Sequence, residues 1–219
     1  MSDADTTAAR PQLETGFYFP SAVYSVKSPD YLATSNEVFT EYVEREKTAR
    51  PQPNEVYPVY QTGNMIADPR MQELMQFIAA TGWNILQSQG YAMDTLSVFF
   101  MELWGHEHHK YSGMDEHVHG LGAQLVGFYF LDCPEGSSHI AIHDPRPAKK
   151  QINLPEAEVG KPTYASAALN FKPEPGLLFF TNAWLPHSFT RNAADAPARF
   201  LHFTLGVRPA HTTKIEPVQ

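Results

Sequence analysis

Ten histidines are present in the 219 residues, and six of them (His106, His108, His109, His117, His119 and His139) fall within thirty-four positions. Cys133 is the single cysteine, so a cysteine-rich zinc or iron–sulfur site is excluded and any metal must sit on imidazole and carboxylate. In DEHVHG, His117 and His119 stand two residues apart, a spacing that in a strand sends both rings to one face and lets them converge on one ion. A non-haem iron site needs three protein ligands on one face of an octahedron and leaves the rest for co-substrate and oxygen. The distant candidate is His187 in WLPHSFTRN, which follows the apolar run GLLFFTN and opens a new strand pattern.

Each of these residues also has a plainer reading. An isolated histidine in a β protein is more often a surface or hydrogen-bonded core group than a ligand, and His-x-His alone adds little. In HEHHK the spacing does not keep His106, His108 and His109 on one strand face, and this tract reads as loop. Arg199 shares a face with Leu201, Phe203 and Leu205; a guanidinium in an apolar barrel needs an anion, either the carboxylate of a dicarboxylate co-substrate or an acidic side chain of the protein. Arg191 is a nearer competitor at an exposed strand end. Tyr129 shares a face with Gly127, which leaves space beside a hydroxyl able to touch a co-substrate; the alternative is a core aromatic bonded elsewhere. Trp184 reads as packing, and Arg146 as the partner of Asp144 across a turn.

Two helices precede the strand-rich part. SPDYLATSNEVFTEYVEREKTA, from Ser28 to Ala49, has Pro near its start and Val38, Phe39 and Val43 at helical spacing. DPRMQELMQFIAATGWNILQSQ, from Asp68 to Gln89, begins with a capping Asp followed by Pro and places Met71, Leu74, Met75, Ile78 and Ile85 on one side. Between them RPQPNEVYPVYQTGN, with three prolines, suits an extended edge segment. After Gly90, runs rich in Val, Phe, Tyr and Leu recur at strand length: TLSVFFMELW, GAQLVGFYFL, SHIAIHD, TYASAALNF, GLLFFTN, HSFTRN and RFLHFTLGV. Such a series implies a mainly β fold, a β-sandwich or a jelly-roll barrel (double-stranded β-helix), with the N-terminal helices packed outside. Residues 1–16 read as a flexible lead-in and 17–219 as one domain.

Composition removes several functions. With 16 Lys and Arg against 24 Asp and Glu, the formal charge of −8 lacks the basic footprint of a nucleic-acid binder. No leader pattern opens the chain and no apolar run is long enough to span a bilayer, so a cytoplasmic protein is expected. A helical face outside the barrel is a candidate homodimer surface.

The order of ELW at Trp104, HVHG at His117 to Gly120, VGFYFLDCPEGS, HDPRP, GLLFFTNAWLPHSFTRN and Arg199 in RFLHFTLGV resembles the 2-oxoglutarate and iron(II)-dependent oxygenases, in a His-x-His subgroup, over roughly residues 95 to 207. The resemblance implies that His117 and His187 hold Fe(II) and that Arg199, twelve positions after His187, holds the far carboxylate of 2-oxoglutarate. It also implies oxidative attack on a C–H bond of a small-molecule or peptide substrate. The wider superfamily carries Asp or Glu where this chain has His119. The third ligand is therefore His119, giving an all-histidine triad, or Asp144, and loss of the carboxylate changes the metal's charge balance. Two other readings stay open: a cupin-like three-histidine enzyme that does not use 2-oxoglutarate, and a non-catalytic binding protein on the same barrel.

Overall fold

The computed structural model describes residues 12–152 and 154–210. The expected flexible lead-in falls on residues 1–11, which lie outside the described residues, and on 12–16, which have no regular structure. Helix α1 spans Leu32–Ala49 after a 3-10 turn at Pro29–Tyr31, and α2 spans Gln72–Ser88 after a second turn at Pro69–Met71. The Asp68 side chain accepts from the Arg70 N–H and caps that second start, as the Asp-Pro signal requires. Val38, Phe39 and Val43 of α1 and Leu74, Ile78 and Ile85 of α2 are buried, so each helix turns one apolar stripe to the sheet.

Among the described residues, ten strands make two antiparallel sheets. The larger has the order β1 (Val23–Lys27), β8 (Leu177–Asn182), β5 (Ala123–Asp132), β10 (Ala198–Pro209), β3 (Leu96–His108), β2 (Val59–Gln61). The smaller has β4 (Met114–His117), β9 (His187–Phe189), β6 (Ile140–His143), β7 (Ala168–Phe171). From β3 onward the chain passes back and forth between the sheets, which is the double-stranded β-helix; β1 and β2 extend the larger sheet at its edges. The Pro-rich stretch thus supplies an edge strand, as its prolines demand.

The larger sheet is covered on both faces. Its outer face packs Leu103, Leu125, Tyr129, Leu201, Phe203 and Leu205 against the helices. Its inner face packs Val126, Phe128, Phe130, Phe179 and Phe200 against Ile140, Ile142 and Phe189 of the smaller sheet. Each such ring or branched chain removed from water contributes roughly 1.5–3 kcal/mol, so both faces are strongly held. The connections 118–122 and 183–186 meet where the His119 N–H donates to the Ala183 carbonyl. No helix among the described residues is long and apolar enough to cross a membrane.

Candidate metal centre

His117 ends β4 and pairs across the smaller sheet with His187, which starts β9. His119 lies just beyond β4 rather than within it, and its backbone N–H donates to the Ala183 carbonyl at 2.8 Å. That bond folds the 118–122 connection over the barrel end and brings the third ring to the other two. Ring centroids of His117 and His187 are 4.5 Å apart, and His119 stacks on His187 at 5.3 Å. One nitrogen from each of the three residues lies within 4.8 Å of the others.

The hydrogen bonds fix which nitrogen faces the centre. His187 Nδ1–H donates to the Leu185 carbonyl at 3.0 Å, and His117 Nδ1–H to the Asp115 carbonyl at 2.8 Å. A carbonyl only accepts, so both Nδ1 atoms carry the proton and both Nε2 lone pairs are free for a metal. Nε2 of His187 and of His119 are buried without a partner in the protein. Burial pushes His187 down to about 4, the Leu185 carbonyl opposing, and pushes His119 down to about 4, with His117 adding to the effect. Both rings are therefore neutral near pH 7 and need no proton removed to bind an ion. Orphaned, neutral Nε2 donors converging at a barrel end fit a six-coordinate iron(II) with one face left open.

Asp144 is outside this cluster. Its carboxylate takes three bonds from Arg146, one from the backbone N–H at 2.9 Å and two from the guanidinium at 2.9 and 2.7 Å, and lies 3.4 Å from Lys149. Those bonds hold it at about 2. The expected pairing with Arg146 is the one observed.

Two expected co-substrate contacts point the wrong way. Arg199 does share a face with Leu201, Phe203 and Leu205, but that face packs on the helices. There its Nε donates to Glu107 at 2.9 Å, and Lys47 lies 3.0 Å from the same fully buried carboxylate. Tyr129 likewise faces outward, and its hydroxyl donates to the Ser28 carbonyl at 2.7 Å. Gly127 clears room not for a ligand but for Phe203, whose ring a Cβ at that position would meet at 2.2 Å. Strand parity is the cause: residues 127, 129, 199, 201 and 203 alternate with 128, 130, 200 and 202, and only the second set looks into the barrel.

His106 and His108, expected in a loop, lie in β3, which runs four residues past Trp104. Both are buried on its inner face; His109, past the strand, turns outward and shares Glu107 at 2.9 Å. His202 of β10 also faces inward, stacked on Trp104 at 5.4 Å and on His119 at 5.2 Å. The signal for all three was available as i, i+2 spacing with Trp104 and Phe200. Trp184, expected to be buried, is half exposed at the rim of a cavity of about 760 Å3. Ile142, which pairs with His187, and Leu185, whose carbonyl accepts from it, line that cavity together with Tyr18, Arg146, Tyr164 and Phe171; His117, His119 and His187 do not line it.

The family profile described as "Putative 2OG-Fe(II) oxygenase" matches residues 102–202, from the inner face of β3 to His202. No curated protein matches the chain in sequence. Among solved structures, AviO1 from Streptomyces viridochromogenes Tue57 is similar at 12% identity, over 91% of this chain and 93% of that one, with a TM-score of 0.58. A Pseudomonas putida prolyl-4-hydroxylase gives 9%, 85%, 93% and 0.55. HygX from Streptomyces hygroscopicus, solved with nickel and 2-oxoglutarate, gives 14%, 90%, 86% and 0.52. At such identities the structures speak for the fold alone, and the profile, which spans somewhat less than half of the chain, makes the stretch from Glu102 to His202 similar to the 2-oxoglutarate and iron(II)-dependent oxygenases.

Proposed function

We propose that His117, His119 and His187 hold iron(II) in an oxygenase that oxidises a C–H bond of a small molecule seated at the barrel mouth. The observation that carries this reading is the convergence of three imidazoles, two of which (His117 and His187) have tautomers set by backbone carbonyls and two of which (His119 and His187) have a buried Nε2 with no partner in the protein. When bound, iron(II) and 2-oxoglutarate would together activate dioxygen, the oxidant, with the co-substrate giving up CO2 to become succinate while one oxygen atom is left to oxidise the C–H bond. The chain's residues hold and shield. Leu185 and Asp115 fix the ring orientations, and Phe128, edge-on to His187 at 5.8 Å, keeps water from the inner side. The cavity of about 760 Å3 falls in the size range of small-molecule sites, roughly 300–1,000 Å3, and its aromatic walls favour a flat apolar body over a peptide chain. One domain over residues 17–219, acting in the cytoplasm with Cys133 as a free thiol, is the accompanying reading.

Anaerobic addition of iron(II) and then 2-oxoglutarate tests it. The expected result is one iron per chain and a visible charge-transfer band, both lost in His187→Ala. Iron binding without the band would favour the three-histidine enzyme that does not use 2-oxoglutarate, and no iron in the unaltered protein would favour the binding protein.

A further inference from the structure

Two of the three candidate ligands sit on short strands of the smaller sheet. His117 ends β4, four residues long, and His187 opens β9, three residues long. A regular ladder holds β9 to β6: Ile140 faces Phe189, Ala141 faces Ser188, Ile142 faces His187, and the His143 N–H donates to the Pro186 carbonyl at 2.9 Å. The pairing of β4 with β9 is irregular. Met114 faces Phe189 and His117 faces His187, so Asp115 and Glu116 stand opposite the single Ser188. This is a β-bulge, which re-aims a side chain at the cost of ladder bonds. The same bulge presents the Asp115 carbonyl that accepts from His117 Nδ1.

One side chain holds the bulge from the outer face of the sheet. His143 ends β6, and its Nε2 lies 2.8 Å from the Ser188 hydroxyl while its Nδ1 lies 3.6 Å from the Glu116 carboxylate. A carboxylate only accepts, so the ring keeps its proton on Nδ1, towards Glu116, and Nε2 accepts from Ser188. β4 and β6 flank β9, about 9.5 Å apart at the usual strand spacing, and the imidazole spans the strand between them. Ser188 follows His187 in the chain, and Glu116 precedes His117. We propose, resting on the metal-centre reading above, that His143 is a positioning residue: it pins the bulge, and through the Asp115 carbonyl it aims the His117 ring at the metal.

Of the three rings, His117 is the one that needs this support. The Leu185 carbonyl and the regular ladder set His187, and the Ala183 carbonyl ties the backbone of His119. His117 depends on a carbonyl that belongs to the bulge itself. Partners that orient a ligand ring are worth roughly 10–100-fold in metal affinity. His143 acts one step further out than such a partner, so the lower end of that range is expected. The inference also gives a task to the histidine of the HDPRP tract, whose Asp144 and Arg146 are paired with each other.

The test titrates zinc into the metal-free full chain in competition with a chromophoric chelator. His143→Phe is expected to weaken zinc about tenfold. The melting temperature of the metal-free variant should fall by no more than roughly 4 °C, as fits the loss of one partly buried hydrogen bond. Asn170→Ala, on β7 and away from the bulge, should leave the affinity unchanged. His143→Gln, whose amide still accepts from Ser188 and donates towards Glu116, should recover most of the loss. Glu116→Gln should weaken zinc by itself and add little to His143→Phe, because the two act through one contact. In zinc-loaded protein labelled with 15N-histidine, His143→Phe should move the His117 ring signals more than those of His187, although the ladder puts His143 nearer to His187. An affinity unchanged in His143→Phe, a loss that His143→Gln does not ease, or ring signals that move at His187 and not at His117 overturns the inference. An unaltered protein that binds no zinc fails the metal-centre reading itself, and the inference with it.

Discussion

The two faces of β3 and β10 carry similar residue types and opposite hydrogen-bond states. Outward, Glu107 is fully buried yet completely partnered by Lys47, His109 and Arg199. Inward, one residue away on each side, His106 and His108 are just as buried and leave three ring nitrogens unpartnered. Burial pushes the Glu107 carboxyl up, but Lys47, Arg199 and His109 outweigh it and hold it below its ordinary value. Burial pushes His106 down to about 4 and His108 down to about 3, and nothing opposes it. The bonds of the outer group are closed within the protein, and those of the inner pair are not.

Changes on the two faces should therefore separate stability from binding. The largest stability effect is expected at Gly127→Ala, where the added carbon would lie 2.2 Å from the Phe203 ring and 2.4 Å from the Phe179 carbonyl oxygen. Overpacking against backbone costs about 3 kcal/mol, a melting-temperature fall of roughly 10 °C in calorimetry. Next, Glu107→Gln should cost about 2 kcal/mol, below the usual value for a broken buried pair because Lys47 and Arg199 are partly exposed and can reach water. Its 2-oxoglutarate affinity should be unchanged; a fall would mean that the outer face reaches the ligand.

The inner face should respond to pH. His106 and His108 are held below the unfolded histidine value of about 6.5, so the unfolded chain binds more protons between that value and the folded ones. Stability of the metal-free protein is then fully present above pH 6.5 and is lost as pH falls toward 4 and 3, each ring adding a slope of up to about 1.4 kcal/mol per unit. Melting scans between pH 7 and 4.5 should show that slope, flattened in His106→Phe/His108→Phe. The smallest effect is expected at the rim. Asp144 is lowered to about 2 by Arg146, so its contribution is present above about pH 4 and lost as pH falls through 2. Arg146 is half exposed, which screens the pair, and Asp144→Asn should cost no more than about 1 kcal/mol in urea denaturation.

Much of this was legible in the sequence. Capping Asp68, the period of α2 and the strand-length runs gave the helices, the barrel and their order, and His117, His119 and His187 stood out by type and spacing. What failed was the choice of face. The alternation that grouped Arg199 with Leu201 and Phe203, and Gly127 with Tyr129, was correct, but both faces of the larger sheet are apolar, one under helices and one under the smaller sheet. Periodicity groups residues without saying which group looks inward. The end of β3 was misplaced for a related reason: GHEH is polar, and only a barrel that needs polar atoms inside would carry it as strand. β1 was missed as a strand because VYSVK is short and hydrogen-bonds to a sheet made elsewhere in the chain, and DEHVHG, read as strand through His119, leaves the strand after His117.

The central claim is that an all-histidine triad holds the metal. X-ray absorption of the iron(II)-loaded protein counts the imidazoles directly, through the scattering of their outer ring atoms. Three imidazoles per iron, falling to two in His119→Ala, is the predicted result; two imidazoles and a carboxylate in the unaltered protein, unchanged by His119→Ala, would contradict it.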